Sequence, residues 1–183
     1  MLFIFSDLTP AYILSQVFAF AWFVFLILTY FTKSITKIRI YNVILSLCLI
    51  ISFFLLNALT GVWATLLYLV YSLILCHPYF NKTQKFTKVH ISLLMTTYIV
   101  VIIITYFTYQ GWHSLLPCIT SFIGPYSIIQ KKPFVYKILQ IPQAVLFLIY
   151  HFVIYSYVGF IAEIILLTML LIGMYNERRF RNV

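Results

Sequence analysis

An all-α, polytopic membrane protein with seven transmembrane helices is the fold class that this sequence predicts, and three observations predict it. Hydrophobic residues make up 64% of the 183 positions and charged residues only 8%, with a mean hydropathy of +1.06. A soluble core of this size has no room for so much apolar side chain, whereas the hydrocarbon of a bilayer accepts helices that are apolar all round. The twelve Lys and Arg residues fall in four clusters: Lys33, Lys37, Arg39; Lys82, Lys85, Lys88; Lys131, Lys132, Lys137; and Arg178, Arg179, Arg181. Two apolar segments separate successive clusters and one precedes the first. With basic loops kept on the cytoplasmic side, one orientation satisfies all four clusters, N-terminus outside and C-terminus cytoplasmic.

The predicted crossings run over about residues 11–31, 40–59, 62–75, 89–108, 114–129, 138–155 and 160–175. The opening MLFIFSDLTP has no basic n-region, so the first segment is expected to be a permanent helix. The second and third segments form a hairpin turning at Thr60-Gly61, and the sixth and seventh another turning between Ser156 and Gly159. Pro117, Gly124 and Pro125 predict a bent or broken fifth helix, because proline removes a backbone donor and clashes with the preceding turn. Each hairpin follows one further crossing and a basic loop, and Val135-Tyr136-Lys137-Ile138 resembles Ile40-Tyr41-Asn42-Val43. The expected plan is 3+1+3: a first triple-helix bundle with its loop over 1–88, a linking helix over 89–108, and a second bundle over 109–183, in one membrane domain. Three crossings reverse the chain, so a fourth is needed before a parallel repeat begins.

The net charge of +9 does not indicate nucleic acid, because it is divided among loops with no aromatic-interleaved basic face. Membrane lipid headgroups are the expected partners of those loops. Cys48, Cys76 and Cys118 have no redox-pair or zinc spacing and are expected to pack as small hydrophobes. No nucleophile elbow, metal-spaced His/Cys set, phosphate-binding glycine loop or carboxylate pair is present in the sequence, so neither an enzyme nor a cofactor is expected.

Several stretches resemble the YgjV-type bacterial inner-membrane proteins. They are Ser15-Gln16, Phe31-Thr32-Lys33, Phe53-Phe54-Leu55-Leu56, Leu115-Leu116-Pro117, and Ile149-Tyr150-His151-Phe152 followed by Gly159 and Glu163. The resemblance implies a multi-pass protein of the inner (cytoplasmic) membrane. That family is distantly similar to the SWEET and PQ-loop transporters, which implies a solute path between two triple-helix bundles and alternating access. Pro142-Gln143 lies in the sixth crossing here, whereas the diagnostic Pro-Gln of those transporters lies in the first helix of each bundle.

The polar residues inside the crossings define the candidate site. Glu163 is the one acidic residue in a predicted crossing, and a charge at that depth costs about 2.5–3.5 kcal/mol unless it faces a bundle interior or water. With Tyr157 as hairpin apex, His151 and Glu163 each lie six residues away, roughly 9 Å below the turn, which predicts a proton-responsive pair. Gln143 follows a helix-distorting proline, and Gln16 and Asn57 offer amides from the other bundle. Gln140 is placed nearer the cytoplasmic end. Trp22 and Trp63 are candidates to stack on a ring-shaped solute. Trp112, Tyr109 and Tyr157 fit an outer aromatic belt. The expected function is a carrier or facilitator for a small polar solute, with Gln16, Asn57, Gln143, His151 and Glu163 as its binding residues. The alternative is a non-transporting membrane protein that binds or stabilises a partner. Seven crossings suffice for a path in one chain, so oligomerisation is not required.

Overall fold

The computed structural model describes residues 9–32, 34–77, 88–130 and 133–181. The expectations for Lys33, Lys82, Lys85, Lys131 and Lys132 lie outside these residues. The described residues form seven α-helices and no strand: α1 Pro10–Phe31, α2 Ile35–Leu55, α3 Leu59–Cys76, α4 Lys88–Phe107, α5 Leu115–Ile128, α6 Pro133–Val153 and α7 Tyr157–Arg181. A short 3₁₀ turn, Trp112–Ser114, leads into α5. Five of them, α1, α2, α3, α4 and α6, are long and apolar enough to cross a membrane, and α7 carries a shorter apolar stretch over Tyr157–Ile172. The expected fifth crossing is a helix of only 14 residues, which at 1.5 Å per residue covers roughly 21 Å of a hydrocarbon core about 30 Å thick.

Local chemistry explains the ends. Thr9 caps α1, its side chain accepting from the backbone N–H of Tyr12 at 3.2 Å, with Pro10 in the first helical position. Pro117 sits in the first turn of α5, where its missing N–H costs nothing. Pro125 is accommodated inside the helix, so α5 is unbroken over its length.

The two hairpin turns differ from expectation in the same way. Thr60 and Gly61 lie in the first turn of α3, and Gly159 in the first turn of α7. The chain reverses earlier, at Asn57 (φ 55°) and Tyr155 (φ 57°). At the first turn the N–H of Ala58 donates to the carbonyl of Phe53 at 3.0 Å, and at the second the N–H of Ser156 donates to that of His151 at 2.9 Å. This is the bonding of a helix end closed by a left-handed residue.

The two hairpins share one register. Each end of α6 lies 98 positions after the matching end of α2, since 133 minus 35 and 153 minus 55 both give 98. The starts of α3 and α7, residues 59 and 157, are separated by the same interval, as are Asn57 and Tyr155. The likeness of residues 40–43 to 135–138 is three positions out of this register. Arg39 and Lys137 also correspond, and both are helical rather than loop residues. Arg39 Nη1 donates to the Leu75 carbonyl at 3.1 Å and Lys137 Nζ to the Tyr30 carbonyl at 2.7 Å, each in the last turn of a neighbouring helix. Cations are favourable there, against the negative end of the helix dipole.

The helices pack as a ring in which α1 contacts α2, α2 contacts α3, α3 contacts α5, α5 contacts α6, α6 contacts α7, and α7 returns to α1. Helix α4 lies outside the ring against α3 and α5, with only His90 and Val101 of its side chains buried. Large apolar side chains face outward, as on Ile99, Ile102 and Ile103 of α4, while Ser15, Ser46, Ser52, Thr120 and Ser127 are buried. Trp112, Tyr109 and Tyr157 are exposed, as an interfacial belt requires.

Both first-turn glycines allow close approach. A Cβ at Gly61 would sit 2.7 Å from Tyr150 Oη and 2.9 Å from a Phe53 ring carbon, and one at Gly159 would strike the His151 ring. Gly61→Ala and Gly159→Ala are each expected to destabilise the protein by about 1–3 kcal/mol through overpacking. A fall in melting temperature in detergent for both, against an unchanged Thr96→Ala control on exposed α4 surface, checks this.

Candidate functional site

A narrow cavity of about 50 Å³ runs down the middle of the ring. At roughly 10–15 Å³ per water centre, it holds a few waters or a very small solute. All six ring helices line it and α4 contributes nothing. Asn42, Leu45, Ser46 and Leu49 come from α2, and Gln140, Gln143, Ala144 and Phe147 from α6. These eight are matched pairs in the 98-residue register: 42 with 140, 45 with 143, 46 with 144 and 49 with 147. Thr65 of α3 corresponds to Glu163 of α7, and Tyr68 to Leu166, while Trp22 of α1 and Thr120 of α5 complete the lining from the remaining helix of each half. The wall is therefore built twice from equivalent positions, with different side chains on its two halves.

Aromatic rings pack beyond one end of the cavity. One helical turn beyond Leu49 and Phe147 lie Phe53 and His151, which are equivalent in the same register. Their ring centroids are 5.5 Å apart. Trp22 lies 5.6 Å and Phe147 6.0 Å from the His151 ring, and Tyr150 packs edge-on to Phe53 at 5.4 Å. Two equivalent residues in mutual contact mark where the two halves meet.

Toward the other end, hydrogen bonds gather around Asn42. Its Nδ2 donates to the Ile38 carbonyl at 2.8 Å and to Tyr136 Oη at 3.2 Å, and its Oδ1 accepts from Tyr68 Oη at 2.9 Å. This ties α2, α3 and α6 together. Gln140, its equivalent, donates from Nε2 to Ser127 Oγ of α5 at 3.0 Å. Neither Asn42 nor Tyr68 stands out in the sequence. An amide on α2 in register with Gln140 was the available signal, and it needs the 98-residue offset to be read.

The five expected binding residues separate. Gln143 and Glu163 line the cavity. Glu163 is 2% exposed, and Glu163 Oε2 and Gln143 Oε1 are buried without a hydrogen-bond partner. Gln16 lies at the far end of α1, where its Oε1 accepts from the backbone N–H of Val158 at 3.0 Å in the first turn of α7. Asn57 is exposed in the α2–α3 turn, outside any crossing, because its left-handed backbone is what ends α2. His151 is fully buried among the rings described above, and neither imidazole nitrogen has a hydrogen-bond partner.

The expected His151–Glu163 pair is therefore not formed. The reason is the earlier turn: His151 is two residues from the end of α6 and Glu163 six residues into α7. Their depths differ by roughly 6 Å at 1.5 Å per residue. Trp22 lines the cavity, whereas Trp63 is 43% exposed on the outside of the ring and faces away from any central solute.

The family model Imp-YgjV, described as a bacterial inner membrane protein, matches residues 13–181. The chain belongs to this family. It is a multi-pass protein of the bacterial inner membrane, and the match spans every helix described here. No curated protein and no solved structure matches the chain.

Asn42→Leu is expected to leave the Tyr68 and Tyr136 hydroxyls short of a partner and to cost about 1–2 kcal/mol per lost interhelical bond. The check is chemical unfolding in mixed micelles, with Asn42→Gln as the variant that keeps an amide.

Proposed function

We propose that the protein is a small-solute carrier or facilitator whose path runs through the central cavity between two triple-helix bundles. One bundle is α1–α3, the other α5–α7, and α4 is the linking helix of a 3+1+3 plan with boundaries near 1–88, 89–108 and 109–183. Supporting this reading are the common register of the two hairpins, the closure of the ring through α3–α5 and α7–α1, and the position of α4 outside it. Under a two-fold axis along the membrane normal, the α3–α5 contact maps onto α7–α1, as a pair of parallel repeats requires. The arrangement proposed is that of the triple-helix-bundle carriers. The N-terminus is outside and the C-terminus cytoplasmic, supported by the distribution of the basic clusters.

The single observation that carries the functional reading is the cavity itself. It holds a buried, unpartnered carboxylate oxygen and an amide oxygen next to the helix proline Pro142. Burying such acceptors without partners costs free energy, so they are retained where something intermittently satisfies them. A dry, fully packed bundle would favour the partner-binding alternative, and this ring is not fully packed. The rings around Phe53 and His151 on one side, and the hydrogen bonds of Asn42 with Tyr68 and Tyr136 on the other, are the contacts that alternating access would have to open in turn.

The test is solute uptake into proteoliposomes carrying the native protein, Glu163→Gln or Ala144→Leu, across sugars, amino acids, nucleosides and small amines. Uptake by the native protein and a loss of about tenfold or more in both variants is expected, since one removes the carboxylate and the other fills the cavity. Native vesicles with no uptake above empty ones for any solute would overturn the carrier reading in favour of partner binding. Orientation has its own check. After Cys48, Cys76 and Cys118 are changed to Ser, a cysteine at Gln110 should react with an impermeant maleimide in intact cells. One at Lys88 should react only after permeabilisation.

A further inference from the structure

We infer that the central cavity binds a small ammonium-type cation, with Glu163 as its counter-charge and Gln143 Oε1 as a second acceptor. This names the substrate class of the proposed path and rests on that reading for its role in transport, though not for binding.

The chemistry of the cavity wall points to a donor ligand. Most of its hydroxyl and amide donors are already spent on protein acceptors. Ser46 Oγ donates to the Asn42 carbonyl at 2.6 Å, Thr120 and Ser121 both donate to the Pro117 carbonyl at 2.9 and 2.7 Å, and Tyr68 donates to Asn42. Two oxygens on the wall, Glu163 Oε2 and Gln143 Oε1, are buried without a partner, and a ligand with N–H donors can satisfy both.

Charge and size narrow the class. A buried carboxylate needs a proton or a cation to balance it. The cationic side chains Arg39 and Lys137 do not line the cavity and are bonded to helix-end carbonyls, and His151 offers no bond to Glu163. Apart from a proton, the counter-charge is thus left to a ligand, and a small cation can take the proton's place. Trp22, Tyr68 and Phe147 line the same wall, and aromatic rings attract ammonium-type cations through the negative potential of their faces. At about 50 Å³ the cavity has room for ammonium or methylammonium.

The register supplies an internal control. Thr65 occupies on the first half the position that Glu163 occupies on the second. Exchanging the two, Thr65→Glu with Glu163→Thr, moves the carboxylate to the other side of one cavity. A residue with a purely local packing role on α7 would not tolerate the move, whereas a counter-charge to a ligand held between the halves would.

The experiment is thermal unfolding of the detergent-purified full chain in ammonium, methylammonium, sodium and potassium chlorides, with choline chloride holding ionic strength constant. Ligand binding to the folded state raises the melting temperature saturably. The expected result is a saturable rise with ammonium and methylammonium over choline, weakened by about tenfold or more in apparent affinity in Glu163→Gln. Glu163→Asp, which keeps the charge, and the Thr65/Glu163 exchange should both retain it. A shift with sodium or potassium and none with the ammonium ions would overturn the proposed ligand class. So would no cation-specific shift, or one unchanged in Glu163→Gln. A folded exchange variant that stays unresponsive would overturn the placement in the shared cavity. Radiolabelled methylammonium uptake separates this from the transport reading. Binding with no uptake of any solute keeps the site and removes the carrier, while uptake of a neutral solute with no cation shift keeps the carrier and removes the site.

Discussion

Hydrocarbon cannot accept or donate a hydrogen bond, and the rest of this structure follows from that constraint. Each polar group within the bilayer must find its partner inside the protein, so the molecule is arranged with its polar residues inward. Serine and threonine hydroxyls of the helix interiors return to carbonyls three or four residues earlier, as at Ser46, Thr97 and Ser127. Larger groups reach across helices: Gln16 to the start of α7, Gln140 to Ser127, and Asn42 to Tyr68 and Tyr136. The apolar side chains that would form the core of a soluble protein are turned outward instead.

Within that frame the bonds that remain unmade carry information. Glu163 Oε2 and Gln143 Oε1 face one cavity, and both nitrogens of His151 sit among rings one turn away. Keeping such groups unsatisfied in a low-dielectric interior is costly. The cavity sits where two helix hairpins of identical register meet, at a contact between the equivalent residues Phe53 and His151. Glycine at the third position of both α3 and α7 allows those rings to approach the helix backbone. Two similar halves thus touch through rings and share one narrow space. Equivalent positions hold Thr65 and Glu163, so the wall is chemically one-sided.

Much of the fold was legible from composition and from where the basic residues stop and start, because helices in lipid must be long and apolar. All seven helices fall near the expected segments. The exact turns were not legible. Gly61 and Gly159 looked like turn residues, yet the reversal happens at Asn57 and Tyr155, and the glycines serve the close approach of Tyr150, Phe53 and His151. Tyrosine in a left-handed conformation carries no sequence signal. Moving the apex two residues, from Tyr157 to Tyr155, leaves His151 and Glu163 four residues apart in depth, since each residue of shift lowers one helix position and raises the other. Of the five expected site residues, Gln143 and Glu163 share the cavity, Gln16 and Asn57 serve helix ends, and His151 belongs to the aromatic cluster.

By itself the sequence determined an all-helical, multi-pass membrane protein of this family and the small set of polar residues it buries. Lipid leaves few solutions for a chain that is 64% hydrophobic. Tertiary structure alone decided which polar residues meet. Rotation of each helix about its axis, and the point where each hairpin reverses, set the direction of a side chain, and neither is encoded by hydropathy. Those two quantities place Gln143 and Glu163 on one wall, and turn Trp63 outward while Trp22 faces in.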